Sequence, residues 1–182
     1  GEWTHGWRID HVKLNFSGNV QNGLMIISGV TYGLIDHNEF LESGGGTSIY
    51  FMGYMSGEDA STVNKLQGGY STSLPLDLGT YKAVYIEDNT FSNFDSGHFY
   101  AAIDSAAGSA RVVVRYNTMQ GVVYSHWTRS GEIGGIKYEI YNNVMTGNTN
   151  NQTPVRLEAG TGVVFNNTVN SFANQFVIDE RR

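Results

Sequence analysis

The chain has 182 residues, of which 40% are hydrophobic and 15% charged, and its formal charge is −6. This composition excludes a disordered chain, and no run of 18 apolar residues is present that would indicate a membrane-spanning helix. The negative charge, without a compensating cluster of Lys or Arg, argues against a nucleic-acid partner. The absence of cysteine excludes disulfides and thiolate metal sites.

A six-residue pattern, apolar-x-x-Asn-x-apolar, recurs along the chain. Its first copy begins at Ile9 and has Val12 in place of Asn. The next copy begins at Ile35, and the interval from Ile35 to Ile86 is interpreted as one repeat plus an insertion, because only one partner segment lies inside it. The asparagines of the five complete copies are Asn38, Asn89, Asn117, Asn143 and Asn167.

A second series of short segments precedes these patterns. The segments are rich in β-branched and aromatic residues and are bounded by Gly, Ser or Asn, which predicts strands. No segment of useful length has a 3.6-residue apolar period, so long helices are not expected. The segments are 23–28, 48–53, 99–104, 123–128, 154–158 and 176–179.

Short strands at a period of roughly 25 residues cannot each bury an apolar face alone. Stacking one repeat on the next pairs their backbones and builds a continuous core. Asparagine at a fixed position tolerates a left-handed bend and forms an amide ladder with its stacked copies. The sequence therefore predicts an all-β parallel solenoid with the asparagines at one corner.

This arrangement resembles the right-handed parallel β-helix of pectate-lyase-like proteins, from Trp7 to about Ile178. The repeats predict a single domain over residues 1–182 with about six rungs, and residues 54–80 as an inserted loop that overhangs one face. The resemblance is specific for the fold and not for an activity. Neither end has a helical cap, so we expect a fragment of a longer solenoid or an assembly in which neighbouring chains cover the ends.

The side chains that point outwards from the second series form a candidate polar wall. Strand alternation predicts Met25, Ile27 and Ala102 outside as well. The inward positions are taken as Ile26, Phe51, Ile103, Trp127, Leu157 and Ile178. The wall then carries the catalytic candidates Asp104, His126, Arg156 and Glu158 in three adjacent rungs, flanked by the substrate-binding candidates Tyr50, Tyr100, Tyr124 and Arg129.

Such a wall suits a polysaccharide, because tyrosines stack on sugar faces and carboxylates accept hydroxyl hydrogens. Asp104 and Glu158 are two rungs apart, about 10 Å along the solenoid, which favours inversion if they hydrolyse a glycosidic bond. β-Elimination would instead use His126 or a tyrosine as base and Arg156 to neutralise a uronate.

The second half of the chain carries a finer resemblance, in Tyr85–Phe91, Ala102–Asp104, Arg111–Thr118 and the pair Ser125-His126. It is similar to uncharacterised bacterial and environmental β-helix proteins, in which an Asp and a Ser-His pair occupy these places. The resemblance implies that Asp104 and His126 are candidate functional residues.

A rival cluster consists of Asp10-His11 and Asp36-His37, one repeat apart, followed by Glu87-Asp88. Imidazole and carboxylate groups are ligands for divalent cations. Ordinary turn chemistry beside the asparagine corner is the favoured interpretation. We therefore expect no cofactor and no metal site, with a divalent cation such as calcium as the alternative.

The sequence predicts an extracellular or cell-surface protein that binds polysaccharide, with polysaccharide lyase or glycoside hydrolase activity as the catalytic hypothesis. The alternative is a non-catalytic structural solenoid, such as a tailspike, adhesin or filament subunit, that associates end to end or laterally with copies of itself.

Overall fold

The computed structural model describes residues 5–16, 25–28, 32–42, 47–52, 78–92, 101–105, 111–125, 137–147, 153–158, 160–174 and 176–178. All regular elements in these ranges are β-strands. The described residues contain no helix that is long and apolar enough to cross a membrane. The strands are β1 (His5–Asp10), β2 (Lys13–Phe16), β3 (Met25–Ser28), β4 (Tyr32–Asp36), β5 (Glu39–Glu42), β6 (Ile49–Met52), β7 (Val84–Glu87), β8 (Thr90–Ser92), β9 (Ala101–Asp104), β10 (Arg111–Arg115), β11 (Thr118–Gln120), β12 (Val122–Ser125), β13 (Lys137–Tyr141), β14 (Val144–Thr146), β15 (Val155–Leu157), β16 (Thr161–Phe165), β17 (Thr168–Asn170) and β18 (Phe176–Ile178).

The strands form three parallel sheets, in which each strand pairs with the strand three positions later in the chain. Sheet A has the order β1-β4-β7-β10-β13-β16, and sheet B contains β2-β5-β8-β11-β14-β17. Sheet C contains β3-β6-β9-β12-β15-β18. Three consecutive strands thus make one rung, and the predicted all-β parallel solenoid is confirmed.

The long interval between the second and third copies of the repeat is a single rung. Strand β4 pairs directly with β7, with Ile35 opposite Ile86. The residues between β6 and β7 are therefore an insertion and not a further rung, as the sequence predicts.

The core is a set of columns in which similar side chains stack from rung to rung. Phe40 and Phe91 stack face to face with ring centroids 4.7 Å apart. Burying one such side chain contributes roughly 1.5–3 kcal/mol to the free energy of unfolding. The column of sheet A is Ile9, Ile35, Ile86, Val114, Ile140 and Val164, and that of sheet B is Leu14, Phe40, Phe91, Met119, Met145 and Val169.

The predicted asparagine ladder is present at the corner between sheets A and B. Asn117 donates from Nδ2 to Asn143 Oδ1 at 3.0 Å and to the Ile86 carbonyl at 2.8 Å. Its Oδ1 accepts the backbone N–H of Asn89 at 2.9 Å. The same pattern links Asn38, Asn89, Asn117, Asn143 and Asn167.

The left-handed bend lies one residue before each asparagine, which corrects the expectation that the asparagine itself adopts it. Tyr116, for example, has φ of 57°, whereas Asn117 is buried with 1% exposure. The bend turns the chain, and the amide that follows is thereby directed inwards to its backbone partners. The bend residues are His11, His37, Asp88, Tyr116, Asn142 and Asn166.

Two large aromatic side chains fit the core of sheet A because a glycine follows in the next rung. A Cβ on Gly33 would lie 2.3 Å from the Trp7 ring. A Cβ on Gly162 would lie 2.6 Å from the Tyr138 ring. The missing side chains of these glycines leave the space that the aromatic rings fill.

Sheet C requires a correction to the predicted alternation in its first strand. The register places Ile26 opposite Tyr50 and Ile27 opposite Phe51. Ile27 is 8% exposed and belongs to the core, so its predicted outward position is wrong. Met25, also predicted outside, packs against the core. The apolar run 25–27 contains no polar residue from which the phase could be read.

Two further predictions on sheet C differ from the structure. Ala102 is fully buried and not outside, at a point where the register between β9 and β12 shifts. Phe51, Ile103 and Leu157 are buried as predicted, whereas Ile178 is 78% exposed because no described strand pairs beyond β18. Trp127 lies outside the described residues.

Candidate functional site

The backbone register of sheet C aligns four of the predicted site residues in one column. Tyr50 pairs with Asp104, Asp104 with Tyr124, and Tyr124 with Arg156. Strand register thus sets these residues one rung apart, about 4.8 Å per step along the solenoid. Aromatic and charged residues alternate in this column, which we call the sheet C column.

The acidic groups of this wall are shielded from solvent. Asp104 is 8% exposed, and Glu158, which follows β15, is 2% exposed. The expectation of two carboxylates on an open outer surface is therefore wrong. A carboxylate becomes buried at low cost only when a cation or hydrogen-bond donors compensate its lost hydration.

Arg156 supplies that compensation for Glu158. Its Nε donates to Glu158 Oε1 at 2.8 Å, and its NH2 lies 2.6 Å from the same oxygen. The Arg156 side chain is 19% exposed and that of Glu158 1%. Glu158 already balances most of the Arg156 charge. A uronate carboxylate would therefore have to compete with Glu158 for Arg156.

The remaining predicted site residues are not described. His126, Tyr100 and Arg129 lie outside the described residues. Tyr124 is placed by the backbone register of β12. The backbone register therefore aligns Tyr50, Asp104, Tyr124 and Arg156 in one column of sheet C, with Glu158 held beside Arg156.

The outer face of sheet A holds a second set of charged residues, which sequence reasoning reached only in part. Arg8 donates from Nε to Asp36 Oδ1 at 2.9 Å and from NH2 to Asp36 Oδ2 at 2.6 Å. These hydrogen bonds hold the pKa of Asp36 below its ordinary value. Asp36 is 3% exposed and also accepts from His37 Nδ1 at 2.8 Å.

Further along the same face, Arg115 connects three rungs. It donates to Glu87 of the preceding rung and, at 3.0 Å, to the Tyr141 hydroxyl of the next. Partial burial lowers the pKa of Arg115, but these hydrogen bonds outweigh that effect and raise it above its ordinary value. The guanidinium also lies over the rings of Tyr85 and Tyr116, at 4.9 and 5.6 Å from their centroids.

The aromatic end of this face suits axial packing better than sugar stacking. Tyr141 and Phe165 stack with centroids 4.8 Å apart and an interplanar angle of 10°. Each of these two rings covers one face of the other, and those faces are closed to a sugar. A sugar ring requires an open aromatic face.

The described end of the insertion lies against sheet A. The Gly79 N–H donates to Glu139 Oε1 at 2.9 Å, and the Tyr85 hydroxyl donates to the Thr80 carbonyl at 2.7 Å. Glu139 is also paired with Lys137 Nζ at 2.9 Å, and the two side chains are 8% and 0% exposed. This buried ion pair was missed by sequence reasoning, although the alternation of Lys137 and Glu139 on one strand face was a visible signal.

Within the described ranges, no group of three or more His, Asp or Glu side chains is arranged to hold a metal ion. Asp10-His11 and Asp36-His37 do lie one rung apart, as their spacing predicts.

Comparison with family models, curated proteins and solved structures finds no match to this chain. The resemblance to pectate-lyase-like proteins therefore stays a prediction beyond the solenoid fold itself.

Proposed function

We propose that the protein binds polysaccharide along the outer wall of sheet C. The observation that supports this is the sheet C column, in which Tyr50, Asp104, Tyr124 and Arg156 follow one another at the rung spacing. A wall with a regular repeat suits a polymer with a regular repeat. Tyrosine combines an apolar ring with a hydroxyl, so the half-buried Tyr50 offers a sugar both a stacking surface and a hydrogen bond.

The Arg156–Glu158 pair and Asp104 have different proposed roles on this wall. Glu158 has its carboxylate held by Arg156, so we assign this pair a positioning role. Asp104, together with His126, carries the catalytic hypothesis of a polysaccharide lyase or glycoside hydrolase. An extracellular or cell-surface location fits a polysaccharide ligand and belongs to the same proposal.

The test is affinity electrophoresis against a panel of neutral and acidic polysaccharides, followed by calorimetry on each glycan that retards the protein. Tyr50→Ala should weaken binding about tenfold, equivalent to roughly 1.4 kcal/mol for the loss of one aromatic contact. Tyr81→Ala is the matched control, because Tyr81 is 74% exposed and packs against Tyr32 of sheet A.

Catalysis is measured on the same glycans by the absorbance of unsaturated ends and by new reducing ends. Asp104→Asn should abolish product formation, and Asp88→Asn, at an exposed corner position, should not. If no glycan binds, or if Tyr50→Ala and Tyr81→Ala behave alike, the proposal is wrong. Concentration-dependent association without glycan binding would then favour the structural solenoid.

A further inference from the structure

The rings of His11 and His37 stack on the outside of the corner between sheets A and B. Their centroids are 5.2 Å apart and their planes differ by 3°. Both residues occupy the left-handed bend position, with φ of 54° and 55°. The corner geometry repeats in adjacent rungs, and the two imidazoles therefore share one orientation.

Each imidazole is fixed by the carboxylate that precedes it in sequence. His11 Nδ1 lies 2.9 Å from Asp10 Oδ2, and His37 Nδ1 lies 2.8 Å from Asp36 Oδ2. An ionised carboxylate only accepts hydrogen bonds, so the hydrogen of the neutral ring resides on Nδ1. The lone pair of each ring is then on Nε2, the other ring nitrogen.

A carboxylate behind a histidine is the arrangement that orients metal-binding histidines and raises their basicity. Arg8 reinforces it by fixing Asp36 from the other side. Asp10 and Asp36 together carry two negative charges against the one positive charge of Arg8, which leaves a local charge that favours a cation. The side chains of His11 and His37 are 72% and 51% exposed, so an ion reaches them from solvent.

We propose that His11 and His37 form a two-histidine surface site for a divalent transition metal such as Zn²⁺ or Ni²⁺. Metal–nitrogen bonds of about 2.0–2.1 Å require the two Nε2 atoms to come within roughly 4 Å of each other. The rings are stacked in parallel, so each exposed side chain rotates about its torsions until the two Nε2 lone pairs converge on the ion. Water completes the coordination, and imidazole ligands select these metals over Ca²⁺ and Mg²⁺.

The experiment is calorimetric titration of the full chain with Zn²⁺, with Ca²⁺ as comparison. His11→Ala and His37→Ala should each weaken Zn²⁺ binding at least about tenfold, because one of two protein ligands is lost. His5→Ala removes another histidine from the same strand, β1, and should leave the affinity within about twofold. Circular dichroism of each variant checks that the solenoid is intact.

A second pair of variants tests the carboxylate. Asp10→Asn should weaken Zn²⁺ binding about tenfold, as for other groups that orient a metal ligand. Glu39→Gln removes a charge from the rung of His37, on an exposed side chain that is paired with Lys13, and should have little effect. Equal losses in both variants would show that general acidity holds the ion, and the proposal would fail.

Ni²⁺ supplies an independent readout by NMR. Its paramagnetism should broaden the ring signals of His11 and His37 before those of the other histidines. Unchanged Zn²⁺ affinity in both His11→Ala and His37→Ala, or broadening that begins at other histidines, overturns the site. None of these outcomes depends on whether the protein binds polysaccharide.

Discussion

The corner between sheets A and B and the wall of sheet C are built on different rules. At the corner, two residues join the sheets in every described rung, as His37 and Asn38 do between β4 and β5. The connections to and from sheet C vary from the single residue Gly121 to the long insertion over residues 53–83. A constant joint repeats one geometry, whereas variable connections let each rung present different side chains.

The corner is thus the structural support of the solenoid, and sheet C carries the candidate functional residues. At the corner the polar groups bond to the backbone of neighbouring rungs, and four of the five ladder asparagines, Asn38, Asn89, Asn117 and Asn143, are buried. Sheet C carries the sheet C column, in which the residue type changes from each rung to the next, and the Arg156–Glu158 pair. Loops and variable segments held by a rigid scaffold are common locations for binding residues.

The largest expected effect on stability comes from removing the amide of Asn117, in the middle of the asparagine ladder. Asn117→Ala leaves the Ile86 and Arg115 carbonyls without their amide donor and removes the acceptor of the Asn89 N–H. Buried groups that lose partners cost about 1–3 kcal/mol each, so the free energy of unfolding should fall by about 3–5 kcal/mol. Urea denaturation measures this change.

The matched control for that variant is Thr118→Ala, which alters the exposed neighbour of Asn117 and should change stability by less than about 0.5 kcal/mol. A loss below about 1 kcal/mol in Asn117→Ala would mean that the ladder is not the main support of the corner.

An intermediate effect should follow from completing the ladder at its first rung. Val12 stands at the asparagine position, and its N–H already donates to Asn38 Oδ1 at 2.9 Å. Val12→Asn would add an amide that reaches the same oxygen and the Asp10 carbonyl, as Asn38 reaches Asn89 and the Asp36 carbonyl. Stability should rise by about 1 kcal/mol, seen as a higher thermal midpoint. A midpoint that falls would show that the first rung does not share the corner geometry.

The smallest effect concerns the outside of the corner and depends on pH. The pKa of Asp36 is lowered in the folded state, mainly by its hydrogen bonds to Arg8. Its contribution is therefore complete above the unfolded value, about pH 4, and is lost as the pH falls through the lower folded pKa. Arg8→Met should be less stable than the unaltered chain near neutral pH, and the difference should shrink on acidification. Denaturation at a series of pH values measures it, and a difference that is constant with pH would contradict this assignment.

Much of the fold was predictable because the repeat has a local cause. The spacing of Asn38, Asn89 and Asn117 within the apolar pattern indicates one corner per rung, and the register confirms it. The candidate site was harder to predict from the sequence. Asp104 and Arg156 were assigned to one wall, but nothing in the sequence reports that Glu158 turns to Arg156 and is buried.

The sequence by itself determined that strands stack in parallel, where the insertion interrupts them and which residues form the ladder. These properties follow from short-range patterning, since each rung contains the same turn chemistry. Only the tertiary structure decided the phase of Met25–Ile27, the burial of the Lys137–Glu139 pair and the stacking of His11 on His37. Each of these depends on contacts between different rungs. The alternation of residues along one strand does not show which residues of a neighbouring rung pack against it.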